Sequence, residues 1–580
     1  MPMGSRVAAF FTTRAGAILL ALAWALFYWW PAFVRPFSIG GDDWPYFQHM
    51  WEVGWIAALR FREIALWDPF QCGGVPMFGD PQAQIYGPWF LLSFALGTTL
   101  ALKLGLVLHV VVSLLTTYRY AADHHGLSRP ASMLAAVVFS SSGFFAWHIA
   151  QGHAPFLPFL LLPAVLLLYH RSVVHRAAIA WLALLLAYIL FEGGVHPLPF
   201  ALLLLAFEAT ARALRTRELR RSFLPLVIAL GGFALLAGLR WIPSLVELAH
   251  HPRPTEDPDY LGINDLVDML TARTHEWAVA GHRWKWNEYG SYVGGGVVLA
   301  ALVGYHRAFV RRRPQAALGF LLFLLLACGK LGYLAPWELL HRLPVFDSLR
   351  VPSRFMVVAI LFLALLAGMT LDELSALLRR WTGSARVASL VPLALTLACA
   401  GDLWLVARPI VDNWNTDPLP PVHLEKFYQG GADSFKADFA YTPRLGRGTL
   451  GCYTVLDYPP APSLREGPGP QVEVVLGDAV VGSERTTVNR VIVDVSGSTP
   501  STLVINQNYS RDFVSNIGFV HEDDGRLAVD IPPGTHRLRL AYRPATLRIA
   551  LATTLVGLLL TFGYLWRLRQ LQRRGLDSTA

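Results

Sequence analysis

Two adjacent carboxylates, Asp42 and Asp43, stand in the run Gly40-Gly41-Asp42-Asp43-Trp44-Pro45-Tyr46. A carboxylate within hydrogen-bond reach of a hydroxyl can take its proton, so either is a candidate catalytic base, or a ligand orienting a nucleophile or a metal. The competing structural use is as a helix N-cap, because Asp followed by Trp-Pro is a good helix start with Pro in the first turn. A cap needs only one of the two. Asp68 and Asp80 lie in Trp-Asp-Pro and Gly-Asp-Pro contexts, where Asp commonly initiates a turn, and substrate binding is their second use. His148, His153, Glu192 and His196 are candidate substrate-binding residues that would form a polar floor beneath the Asp pair, although each alone is more often a satisfied interfacial residue.

Arg350 and Arg354 flank Pro352 in Arg350-Val351-Pro352-Ser353-Arg354. A guanidinium fork donates paired hydrogen bonds to phosphate, so these two and Arg240 are candidates for binding a lipid headgroup or the phosphate of a lipid-linked substrate. Gly73, Gly74 and Gly79 permit close approach of a ligand, but no Lys-Ser or Lys-Thr follows, so they make no phosphate loop. A divalent metal could be bound, but the spacing matches no recognised metal signature.

The elements that must position these groups are membrane helices. The 580 residues are 54% hydrophobic and 15% charged, with a mean hydropathy of +0.42. That composition excludes a soluble globule, and recurrent apolar runs indicate many crossings. About twelve spans are expected, at 10–33, 93–118, 131–149, 155–170, 177–192, 197–213, 222–243, 291–309, 315–333, 353–376, 387–407 and 546–566. The net charge of +9 does not point to nucleic acid. Its Arg residues cluster in short loops at 119 and 129, 171 and 176, 212–221, 307–313, 379–386 and 567–574, the positive-inside pattern. Both termini are then cytoplasmic, and the Asp pair, the histidines and Arg350 and Arg354 fall at the outer side. The first helix is read as uncleaved, being too long and lacking a small-residue cleavage site.

The expected domains are a membrane domain over 1–407 with its catalytic loop at 34–92, a β-rich extracytoplasmic domain over 408–545, and a last helix with a basic tail over 546–580. Within the loop, 46–61 has the apolar spacing of an interfacial amphipathic helix. In the β-rich part, 471–476, 487–495, 501–506 and 537–542 alternate or are β-branched-rich, with turns at Ser496-Gly497-Ser498 and Pro532-Pro533-Gly534, which predicts a small β-sandwich. The four cysteines show no CxxC spacing; Cys72 and Cys452 both fall outside and could pair.

An acidic pair after the first helix resembles the GT-C class of membrane glycosyltransferases. More narrowly, Trp67-Asp68-Pro69, Gly73-Gly74-Val75-Pro76 and Gly79-Asp80-Pro81-Gln82 are similar to the bacterial YfhO-like family. So are Arg350-Val351-Pro352-Ser353-Arg354-Phe355 with Leu366-Ala367-Gly368, Asn506-Gln507-Asn508-Tyr509, Pro532-Pro533-Gly534-Thr535-His536 and Tyr542-Arg543-Pro544. The turn Glu192-Gly193-Gly194-Val195-His196 departs from the Gly-His-Pro-Gln type expected there. The resemblance implies an inverting glycosyltransferase in the bacterial cytoplasmic membrane. It would move a sugar from a polyprenyl-phosphate donor to an envelope glycan or lipid acceptor on the outer face, with Asp43 or Asp42 as base. The alternatives are a flippase of a lipid-linked saccharide, a non-enzymatic envelope scaffold, and a lipid phosphotransferase. A flippase predicts mid-span charges and broken helices, of which the sequence has few.

Overall fold

The computed structural model describes residues 13–252, 259–274, 281–310, 314–414, 416–432 and 436–574. The start of the expected first span, parts of the expected second outer loop and Arg311–Arg313 lie outside them. Among the described residues, eight helices are long and apolar enough to cross a membrane: Thr98–Asp123, Arg129–Ala150, Ala154–Ser172, Pro197–Thr216, Leu219–Leu236, Pro352–Thr382, Ala385–Ala407 and Thr546–Arg573. The chain is therefore a multi-pass helical membrane protein. Four shorter apolar helices, Arg14–Tyr28, Ala177–Phe191, Gly295–Val310 and Gln315–Ala327, occupy the remaining expected spans.

Every residue from Met356 to Met369 is buried, so this apolar run is the centre of the bundle rather than a lipid-facing helix. Gly295–Val310, Gln315–Ala327, Arg129–Ser140 and Ala385–Ala407 pack around it. Close approach explains Gly304, where a Cβ would come within 2.0 Å of the Leu366 carbonyl oxygen. The Arg-bearing helix ends gather at one end of the bundle: Arg171 pairs with Asp123 at 3.5 Å, and the Tyr564 hydroxyl donates to the Arg176 carbonyl.

The segment expected at the membrane interface is instead interior. Trp44–Ile56 is an α-helix in which every residue but Trp55 is buried, and it continues as one π turn through Ala57–Phe61. A helix apolar on all sides needs cover on all sides. Here the cover includes Ala437–Leu445. Two polar anchors fix it: Arg444 Nε donates to Glu52 Oε2 at 2.7 Å, and His49 Nε2 meets Asp68 Oδ2 at 2.9 Å.

The late segment contains two four-stranded antiparallel sheets facing one another across a shared core. One orders Phe519–Asp523, Arg526–Ile531, Ser501–Asn508 and Val472–Leu476; the other orders Val480–Thr486, Arg490–Gly497, Gly534–Tyr542 and Phe513–Ser515. Two of the four expected strands, Ser501–Asn508 and Gly534–Tyr542, are longer than the sequence pattern indicated, and four further strands, with weaker alternation, were not expected. The sandwich begins only at Val472; 408–471 leads into it and packs on the segment 34–92.

That segment completes the sandwich. Trp67, Cys72 and Val75 lie in its core. Trp67 Nε1 donates to Gln507 Oε1 at 3.2 Å, while Asn508 Nδ2 donates to the carbonyls of Cys72 and Gly74 at 2.8 and 2.9 Å. Cys72 and Cys452 are disulfide-bonded. The Asn506-Gln507-Asn508-Tyr509 motif is thus a clamp on the loop that follows the Asp pair.

Candidate active site

A cavity of about 640 Å³ opens between the segment 34–92, the turns at 153–156 and 196, the stretches 283–288 and 350–354, and the chain leading into the sandwich. Five of the sequence candidates line it: Asp43, His153, His196, Arg350 and Arg354. Asp43 occupies the N-cap position of Trp44–Ile56, yet its side chain makes no capping bond. The carboxylate turns toward the cavity instead, with Oδ2 at 3.4 Å from His153 Nε2. Its backbone N–H donates to the Gln151 carbonyl at 2.9 Å, which docks the helix start on the turn carrying His153.

His153 Nδ1 faces His148 Nδ1 at 2.7 Å. His148 is buried behind it, against Phe144 and Phe156, so it supports the cavity wall without lining it. His196 Nε2 lies 3.2 Å from Arg354 Nη1. The Nε–Nη2 edge of Arg354 is taken by Glu288, at 2.9 Å to Oε2 and 2.5 Å to Oε1. Burial pushes the Glu288 carboxyl up, but the charge and hydrogen bonds of Arg354 hold it well below the ordinary carboxylate range. Ser353 Oγ donates to the Glu288 carbonyl at 2.9 Å and completes the junction. Arg354 is consequently an anchored wall residue whose Nε–Nη2 edge is occupied. Arg350 stacks over Trp284, 5.7 Å from guanidinium carbon to ring centre.

The remaining candidates stand elsewhere. Asp42 has a left-handed backbone, φ 55°, and Oδ2 accepts from Asn413 Nδ2 at 3.2 Å. Burial and the neighbouring Asp43 raise its carboxyl, against that bond. Asp68 is wholly buried and accepts from His49, the Phe70 backbone and Gln71, a structural junction as its Pro context suggested. Asp80 is also buried, accepting from Gln82 N at 2.7 Å and Tyr46 at 3.2 Å; burial lifts it to about 6 against those bonds and the Arg240 charge. Arg240 is wholly buried, donates to the carbonyls of Phe78 and Asp80, and stacks over Tyr86. Glu192 is buried and accepts from the Trp89 backbone. None of these five lines the cavity.

Sequence reasoning missed Glu288, Arg283, Trp284, Lys285, Tyr453 and Asp457, which line the cavity with the others. The first four lie in the loop before Gly295–Val310, whose Trp-rich polar run Trp284-Lys285-Trp286-Asn287-Glu288 was the available signal. The donor set around the cavity combines carboxylates with imidazoles, but among the described residues no three metal-ligating side chains converge there.

No family model matches the chain, and no curated protein matches it. Among solved structures the chain is similar to the arabinofuranosyltransferase AftD from Mycobacteria, at 16% identity and TM-score 0.48 over 75% of this chain and 32% of that one. It is also similar to the archaeal oligosaccharyltransferase AglB from Archaeoglobus fulgidus, solved with an inhibitory peptide and a dolichol-phosphate (11%, TM-score 0.47, 76% of this chain and 65% of that one). A third is ArnT from Cupriavidus metallidurans bound to undecaprenyl phosphate (11%, TM-score 0.39, 75% and 86%). The chain spans 32% of the length of the first and 65% of the second, less than two thirds of either.

Proposed function

We propose that the chain is an inverting glycosyltransferase using a polyprenyl-phosphate sugar donor, with its reaction in the cavity beside Asp43. The observation that carries this reading is the Asp43 carboxylate: it sits at a helix start without capping it and faces a cavity whose rim also holds Arg283, Lys285 and Arg350. Asp43 takes the proton of the acceptor hydroxyl as its oxygen bonds to the anomeric carbon. The bond from that carbon to the donor phosphate breaks, and polyprenyl phosphate leaves with the electron pair. The cations stabilise the charge that grows on that phosphate. Phosphate leaves readily, so no general acid is required. His153 orients the Asp43 carboxylate. Asp42, bonded to Asn413, holds the backbone rather than the proton.

Twelve crossings, an outward-facing site in a bacterial cytoplasmic membrane and membership of the YfhO-like family belong to this same reading, supported by the Arg-rich loops and the Cys72–Cys452 bond. An envelope glycan or lipid is the acceptor. The test is transfer from radiolabelled polyprenyl-phosphate hexoses to a membrane acceptor extract by purified protein in lipid nanodiscs. Label appearing in the acceptor supports the reading. Donor bound but never transferred, with sugar-lipid crossing liposomes made with the protein, would replace it with the flippase.

A further inference from the structure

A second cluster of ligand-type side chains lies at the other end of the bundle. Thr98–Asp123 has 26 residues, so its ends are about 40 Å apart at 1.5 Å per residue. Its Thr98 end donates to Glu52, and its far end is followed by His124. There His124, His170 from the last turn of Leu162–Ser172, and Glu208 from Pro197–Thr216 each offer one ligand atom, all within 4.8 Å of one another. Glu208 is wholly buried. Its Oε2 lies 3.0 Å from His170 Nε2, its Oε1 accepts from the Tyr120 hydroxyl at 3.2 Å, and Gln315 contacts both Glu208 and His124. The His124 and His170 rings stack with centres 3.6 Å apart, and the Arg215 charge reaches His124.

We propose that His124, His170 and Glu208 bind one divalent transition-metal ion of the zinc type, joining three helix ends. Two imidazoles and a carboxylate form a donor set that zinc takes with a fourth position left over. Zinc–ligand bonds of about 2.0–2.1 Å set ligand-to-ligand edges near ~3.3 Å, which side-chain rotation reaches from the present spacing. A carboxylate removed from water among apolar helices is stabilised by opposite charge nearby, which a dication supplies. Gln315 stands beside two of the ligands. A half-turn of its amide exchanges nitrogen for oxygen, so it can fill the fourth position or hold a bound water. The ion is structural here, a helix length away from the Asp43 cavity.

The experiment uses the full chain, purified without a polyhistidine tag, stripped with chelator and titrated with Co²⁺ as an optical probe. Binding of one ion per chain with visible d–d absorption, displaced by Zn²⁺, is expected. His124→Gln, His170→Gln and Glu208→Gln should each weaken Co²⁺ binding at least tenfold and abolish the Zn²⁺-induced rise in Tm. His124 is only half-buried, so His124→Gln remains informative where the variant of the wholly buried Glu208 fails to fold. Absence of stoichiometric Co²⁺ and Zn²⁺ in wild type, or binding unchanged in His124→Gln, would overturn the proposal and leave Glu208 satisfied by hydrogen bonds alone. Neither readout depends on sugar transfer.

Discussion

Gly152 lies against the peptide joining Asp43 to Trp44: a Cβ there would stand 2.2 Å from the Trp44 nitrogen and 2.7 Å from the Asp43 carbonyl carbon. Gly152 also has a positive φ of 89°. The turn bearing His153 and the helix start bearing Asp43 therefore meet backbone to backbone, and only glycine allows it. Gly152→Ala must push them apart. Because displacing a reacting group by about 1 Å can cost on the order of 100-fold, the variant should lose transfer by that factor while retaining its folded elution profile. Full transfer in Gly152→Ala would separate this contact from catalysis.

Glu288 and Arg354 form a buried pair, and removing one partner leaves the other uncompensated. Glu288→Gln should destabilise the protein by about 3–5 kcal/mol, read as a drop in the thermal unfolding midpoint. Arg354→Met added to it should recover part of the loss. Unchanged unfolding in Glu288→Gln would mean the pair contributes little.

Arg350, by contrast, stacks over Trp284 at the cavity rim. Arg350→Ala should raise KM for the lipid-phosphate donor at least tenfold and leave Tm nearly unchanged. A large Tm loss at unchanged KM would assign it to packing.

Asp80 gives a pH signature with a definite sign. Its folded carboxyl is raised to about 6 from an ordinary 3.8, so the folded state holds its proton more tightly than the unfolded chain. The stability it contributes is complete below the unfolded value and is lost as pH rises through 6, by roughly 3 kcal/mol in all. Relative to Asp80→Asn, wild type should lose Tm between pH 4 and pH 7. Parallel Tm curves for the two would contradict this.

The Cys72–Cys452 bond joins residues 380 apart and ties the segment 34–92 to the chain entering the sandwich. Cys72→Ser with Cys452→Ser should lower stability by about 2–5 kcal/mol. Equal unfolding midpoints for wild type and the double variant would show that the Asn508 and Trp67 contacts suffice.

What the sequence made legible follows from what its signals encode. Hydropathy located the helices, because apolar length is a local property, and it located the tight turns at 151–154 and 192–196. It misjudged 46–61, since apolar spacing does not reveal that Ala437–Leu445 covers the helix from nearly 400 residues away. Asp43 and His153 were found as types near a membrane exit. Glu288 was not, because a lone Glu in a polar loop acquires meaning only when Arg354 is brought to 2.5 Å. Asp68 and Asp80 followed their Pro contexts into turns. The short strands of the sandwich escaped because edge strands such as Phe519–Asp523 are half-exposed and carry little alternation.

The most direct measurement is transfer from a radiolabelled polyprenyl-phosphate sugar by Asp43→Asn and Asp42→Asn beside wild type, each checked for folding. Loss of a catalytic base should reduce Asp43→Asn by about 10²–10⁴-fold, while Asp42→Asn, which can still accept from Asn413, should retain most activity. Undiminished transfer by a folded Asp43→Asn protein would contradict the account.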